Sequence, residues 1–246
     1  MEFVQGLPKG IYVGQTRIEH PQTIATSNQN LSGFNLALHV NDDAERVQQH
    51  RMLVLNELSA FGVDKITWMT QTHSTICHTI NEEIPFQALE GDGVVTQRKA
   101  HALMMMTADC LPLLLCDAAG TQVAAVHAGW RGLCDGVIEA TLAHFARPDE
   151  VLVYLGPAIS QSAFEVGPEV RAAFISHSAQ SEQAFVSGNG NKWQADLYLL
   201  AKQRLQACGV QHIYGGQYCT YQQSELFFSY RRDGQTGRMA SSIWLA

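Results

Sequence analysis

The chain has 246 residues, 46% of them apolar and 16% charged, with a net charge of −7. That length can bury a sizeable core, and the balance excludes a disordered chain and a broadly basic nucleic-acid-binding protein. The opening MEFVQGLPKG has no basic start followed by an apolar core, and the apolar run near 102–116 is broken by Asp109 and Pro112. Neither export nor a membrane span is therefore expected, and the chain reads as cytoplasmic. Its six cysteines form no CxxC pair, so reduced thiols are expected rather than a disulfide framework.

In chain order, short strands are expected at 10–16 and 23–27. A helix follows in DDAERVQQHRMLVLNELSAFGV, with Asp42 or Asp43 near its start and Gly62 after its end. KITWMTQTH reads as a strand ending at His73, followed by short strands in ICHTI and DGVVT. HALMMMTADC and QVAAVHAG are apolar on both faces, the pattern of buried strands. Leu133, Val137, Ile138, Leu142 and Phe145 recur at helical spacing, which makes Gly129–Gly132 a strand-to-helix turn. A strand in VLVYLGPAI, helices over 167–176 and in ADLYLLAKQRLQACGV, and final strands in HIYGG, FFSYRR and RMASSIWLA complete the reading. Strands outnumber helices without strict alternation. The expected fold is α+β (mixed α/β), one domain over 1–246 with mixed sheets flanked by helices.

Three strand ends carry metal-ligand side chains: His73, Cys110 and His127. They lie too far apart in sequence for a local finger, but a catalytic zinc takes three protein ligands and keeps one position open. Each residue alone is more readily a packing residue than a ligand, since cysteine is among the most buried types. The surroundings favour a site. Gly129 and Gly132 allow close backbone approach and exposed N–H groups at a helix start, where Arg131 adds a fixed charge for an anion. Asp109 is a candidate acceptor for an imidazole N–H, or a general base. Trp130 is a packing anchor or an aromatic stacking surface, and Arg231 in SYRR is a substrate contact or a structural ion pair.

The segments TADCLPLLLCD, VAAVHAGWRGL, YLGPAIS, FEVGPEV and FFSYRRDGQTGRMASSIWL resemble the bacterial laccase-domain family, also called polyphenol oxidase, peptidoglycan editing factor or purine nucleoside phosphorylase. The resemblance covers nearly the whole chain. It implies a metal site on His73, Cys110 and His127, with Cys110, His127 and Asp109 in catalysis and Arg17, Arg131, Trp130 and Arg231 near substrate. Two departures stand out. Thr16-Arg17 is followed by IEHPQ where the family carries a glycine-rich turn, and the family's Asn-Arg on the first helix is His50-Arg51 here.

Three activities follow from the family's names. One is zinc-dependent phosphorolysis of purine nucleosides (adenosine, inosine, guanosine or methylthioadenosine) together with adenosine deamination; phosphate and a small nucleoside are then the partners. A second is copper-dependent oxidation of polyphenols, because a Cys-His-His set also suits Cu2+. The ten histidines, however, contain no His-x-His pair of the kind a multicopper cluster uses. The third is a Cys110–His127 hydrolase, or an editing factor for peptidoglycan precursors.

Overall fold

The computed structural model describes residues 1–4, 6–81 and 89–246. Two six-stranded mixed sheets form its centre. The first is ordered Glu2–Phe3, Ile11–Gln15, Met239–Leu245, His101–Thr107, Lys65–Thr70, Leu89–Glu90. The second is ordered His212–Gly215, Val151–Leu155, Leu111–Asp117, Val123–Ala128, Gly93–Thr96, Cys77–Ile80.

Period-two alternation explains how the layers stack. Leu103, Met105 and Ile243 of the first sheet pack with Val94, Leu114 and Ala125 of the second, so these faces meet. Ala102, Met104 and Trp244 point the other way, onto Val54 and Leu58 of the helix Ala44–Ser59. On the far side, Leu113, Leu115, Ala124 and Val126 meet the helices Val137–Leu142 and Leu197–Ala207. The order of layers is helix, sheet, sheet, helices. A strand such as His101–Thr107, buried at every position, is apolar from Ala102 to Met106 because protein covers both faces. This is the expected α+β architecture, and the expected helix starts hold. Asp43 caps Ala44–Ser59 by accepting from Arg46 N at 2.9 Å, and Asp196 caps Leu197–Ala207.

The local differences have visible causes. Residues 23–27 form no strand: Ile24 N donates to His50 Nε2 and Ile24 O accepts from Arg46 Nε, so side chains take the place of a neighbouring strand. The helix expected across 132–146 is two, Trp130–Asp135 and Val137–Leu142, broken where Gly136 takes φ 106°. FFSYRR is not a strand. Phe227 and Phe228 pack with Ala108 and Met239, and Ser229 caps a single helical turn, Tyr230–Asp233. Leu111–Asp117 is an additional central strand; Pro112, near its start, disguises it. A small sheet, ordered Glu165–Val166, Trp193–Ala195, Phe185–Ser187, also lay below the reach of sequence periodicity.

The first sheet buries one histidine neutral. His101 is 1% exposed, its Nε2 lies 2.8 Å from Thr67 Oγ1, and its Nδ1 has no partner. Burial, with Arg98 and Lys65 adding to it, pushes its pKa down from 6.5 to about 4. Between those values the unfolded chain takes up a proton that the folded chain refuses, so stability falls as the pH falls through this window. Replacing His101 with Asn should flatten that limb. Melting temperatures of both proteins, followed from about pH 7.5 to about pH 4, should converge towards acid; a constant offset would show that His101 does not titrate there.

Candidate metal centre and its cavity

The three expected ligand residues, distant in sequence, come together. His73, Cys110 and His127 place one ligand atom each within 4.8 Å of one another, and the two imidazoles meet edge to face at 4.8 Å between centroids. Each side chain is delivered differently. His127 lies inside the buried strand Val123–Ala128. Cys110 sits just before Leu111–Asp117, after Asp109 in left-handed backbone at φ 95°. His73 leaves the strand Lys65–Thr70 and is itself left-handed at φ 59°. Only four described non-glycine residues have positive φ, and two of them flank this cluster. Such backbone costs about 1–3 kcal/mol and persists where the surroundings impose it.

Asp92 imposes it on His73. This fully buried carboxylate accepts from Thr72 N (3.2 Å), His73 N (3.0 Å) and Ser74 N (2.6 Å), and from the Ser74 hydroxyl (2.8 Å). It also accepts from His127 Nδ1 at 2.7 Å. That bond sets the tautomer, with the proton on Nδ1, and leaves Nε2 for a ligand. Burial works against the Asp92 charge, but His127 and the Ser74 N–H and hydroxyl outweigh it and hold its pKa well below the carboxylate range. Burial also opposes a charged His127, yet the Cys110 sulfur and Asp92 outweigh burial and raise its pKa to about 9. His73 shifts the other way, lowered by burial and then by His127.

The expected acceptor for the imidazole, Asp109, does something else. One of its oxygens accepts from Thr220 Oγ1 and the other from Arg231 N, each at 2.6 Å. It fastens the SYRR turn to the cavity instead of orienting a ligand; Asp92, from the GDG segment, was missed. Gly129 and Gly132 also differ from expectation. A Cβ on Gly129 would lie 2.3 Å from His73 Nδ1, and one on Gly132 would lie 2.9 Å from the Ser74 carbonyl. The room these glycines make is filled by the His73–Ser74 loop.

A cavity of about 360 Å³ opens over the cluster, lined by Asp109, Trp130, Arg231 and Phe164, and also by His39, Tyr230 and Arg238. Arg131 is absent from its wall; the side chain is exposed, with its guanidinium 4.4 Å from the Trp130 ring centroid. Arg17 is absent too. It donates to Glu2 at 3.0 Å and lines a separate depression with Glu19 and His20. The altered IEHPQ turn belongs to that depression, where His20 stacks on Phe34 at 4.2 Å and reaches Glu57 at 2.7 Å. The cavity arginines are Arg231 and Arg238. Arg238 is the one sequence reading passed over, although GRMASS carries it. It is half-buried, donates from Nη1 to the Thr236 and Gly237 carbonyls, and is lowered in pKa by burial.

The ligand trio, its carboxylate support and a cationic wall in an acidic protein describe a small-molecule site. The model of the family described as multi-copper polyphenol oxidoreductase laccase matches residues 20–246. The chain belongs to this family. It is similar to the purine nucleoside phosphorylase YfiH of Shigella flexneri, at 45% identity over 97% of this chain and 96% of that one. It is 47% identical to the Escherichia coli protein of the same name over 86% of each. Among solved structures, Neisseria meningitidis protein NMB0706 superposes with a TM-score of 0.90 at 40% identity, covering 99% of this chain and 98% of its own. No described helix is long and apolar enough to cross a membrane.

Proposed function

We propose that this chain is a purine nucleoside phosphorylase that holds zinc on His73, Cys110 and His127 and also deaminates adenosine. The observation that carries the reading is the convergence of those three side chains beneath a cavity whose wall supplies Arg231 and Arg238. The names of the relatives support a purine nucleoside as substrate.

The donor set fits the metal. One sulfur and two imidazole nitrogens suit zinc with a fourth position open, and Asp92 supports His127 as catalytic sites require. Copper(II) accepts the same donors. Multicopper chemistry needs further ligands, though, and among the described residues the only other three-ligand group is Cys134, Asp135 and His177. When bound, zinc supplies Lewis acidity to a substrate oxygen or to water.

The chain's own residues divide the remaining work. Arg231 is anchored through the Glu165 carbonyl at 2.8 Å, Arg238 through Thr236 and Gly237. Neither pairs with a carboxylate among the described residues, so both charges are available to phosphate. Trp130 and Phe164 offer flat faces for a purine. In phosphorolysis a phosphate oxygen attacks the sugar's anomeric carbon as the bond to the base breaks, and the electron pair leaves on the base nitrogen. In deamination water replaces the amino group and ammonia leaves.

Only phosphorolysis consumes an anion, which separates the roles of the arginines. Arg238→Ala should lower phosphorolysis by about 10²–10³-fold, the scale for losing one preorganised charge donor, and lower deamination far less. Arg131→Ala, at an exposed side chain off the wall, should leave both near wild type. Both rates are measured on the same preparations, with melting temperature as control. Equal losses of the two activities in Arg238→Ala would remove it from phosphate binding.

The direct test incubates the zinc-loaded protein with adenosine, with and without phosphate. Adenine and a sugar phosphate are expected when phosphate is present, inosine when it is absent, and neither after chelation. Failure to release base in the presence of phosphate sinks the phosphorylase reading. Oxygen uptake with a phenol, or cleavage of a peptidoglycan precursor, would put one of the other two activities in its place.

A further inference from the structure

A second group of ligand side chains lies on the outer helical layer. Cys134 and Asp135 end the helix Trp130–Asp135, which stops abruptly because Gly136 turns left-handed at φ 106°. His177 is the last residue of the helix Pro168–His177, and Ser178 after it is extended at φ −155°. One ligand atom from each of Cys134, Asp135 and His177 lies within 4.8 Å of the other two. From these observations we propose that Cys134, Asp135 and His177 form a second zinc-binding site, with the fourth position left to water.

The geometry is near what zinc requires. Tetrahedral bonds of about 2.0–2.3 Å separate ligand atoms by roughly 3.3–3.8 Å, so small side-chain rotations close the set. The Cys134 thiol approaches from the core, where the residue is 3% exposed. Asp135 and His177 are exposed and free to rotate, and neither side chain makes a hydrogen bond or ion pair among the described residues. Both helices end here, one at Asp135 and the other at His177.

The donor chemistry selects the ion. A mixed sulfur, nitrogen and oxygen set suits zinc and disfavours magnesium and calcium, which prefer oxygen alone. The neighbouring cation, Arg204, acts on the Cys134 thiol, opposing the upward push of burial on its pKa. It also pairs with Glu139 at 2.5 Å and donates to the Cys134 carbonyl, so part of its charge is offset. An ion here would tie the helix that follows His127 and carries Trp130 to its neighbour in the same layer.

The test counts zinc on the full chain, stripped by chelator and titrated against a chromophoric competitor. Wild type should bind two ions, while His177→Ala and His73→Ala should each bind one. With cobalt(II) as probe, the thiolate charge-transfer band should fall by about half in either variant, because each remaining site keeps one cysteine. Asp135→Asn, also at an exposed residue, should weaken only the second ion, by about tenfold or more on the scale of losing an ionic ligand. His177→Ala binding as many ions as wild type would overturn the site, and so would His73→Ala binding none. One ion on wild type and none on His177→Ala would support this site and remove zinc from the first cluster instead.

Discussion

Cys110→Ala should abolish phosphorolysis and deamination together and strip the metal from the His73 cluster, while the fold survives. The trio has no ligand to spare: with Cys110 gone, two imidazoles remain for an ion that needs three protein ligands. The Cys110 sulfur, with Asp92, also raises the pKa of His127. Structurally the change is small. Cys110 is only half-buried and lies just before its strand, so a stability change within about 1 kcal/mol is expected. The measurement pairs metal content with both rates and a thermal melt. Survival of one activity at the wild-type rate would show that the reactions do not share one metal.

The Asp92→Asn variant should weaken metal binding by about 10–100-fold, the usual scale for losing the carboxylate behind a ligating histidine, and destabilise the protein as well. The buried carboxylate accepts N–H groups from Thr72, His73, Ser74 and His127. An amide replaces one of its acceptor oxygens with a donor. If its NH2 turns to His127, the imidazole proton must move from Nδ1 to Nε2, which blocks the nitrogen the metal needs. If it turns to the 72–74 loop, a buried N–H loses its acceptor, costing about 1–3 kcal/mol. Either orientation damages the site. Ser74→Ala is the control: it removes the hydroxyl bond to Asp92 and leaves His127 untouched, so its metal affinity should stay close to wild type. Zinc competition titrations with melting curves decide the matter, and unchanged affinity in Asp92→Asn would show that Asp92 does not orient the ligand.

The cavity places these effects in one volume. Asp109 ties the SYRR turn in place through Thr220 and the Arg231 backbone. Gly129 leaves space that the His73 ring fills. An alanine at 129 must displace that ring, so the glycine between strand and helix in HAGWRG serves ligand placement as much as chain reversal.

How much of this was legible beforehand follows from the range of each interaction. Local patterns marked the helix Ala44–Ser59 with its Asp43 cap, and apolar runs marked the buried strands, because capping and periodicity are encoded within a few neighbouring residues. The candidate ligand types His73, Cys110 and His127 were legible because each stands at a strand end with chemistry that packing does not need. Their resemblance to a known family joined them, and the fold brings them within reach of one another.

The supporting partners could not be read in the same way. Asp92 and Asp109 are both carboxylates beside turns, and nothing within ten residues of either says which one faces His127. That depends on how Gly93–Thr96 pairs with Val123–Ala128, a long-range register that lays Asp92 beside the imidazole and the 72–74 loop. Arg17, Arg131, Arg231 and Arg238 likewise look equivalent as sequence. A guanidinium extends far enough that its position is decided by the surfaces packed around it, so one reaches Glu2, one lies over Trp130, and two face the cavity. The amino-acid sequence by itself determined the α+β class and the candidate ligand types, since those rest on short-range pattern and side-chain chemistry. Tertiary structure alone decided which charge orients which ligand, because that depends on contacts between segments that only the packed sheets bring together.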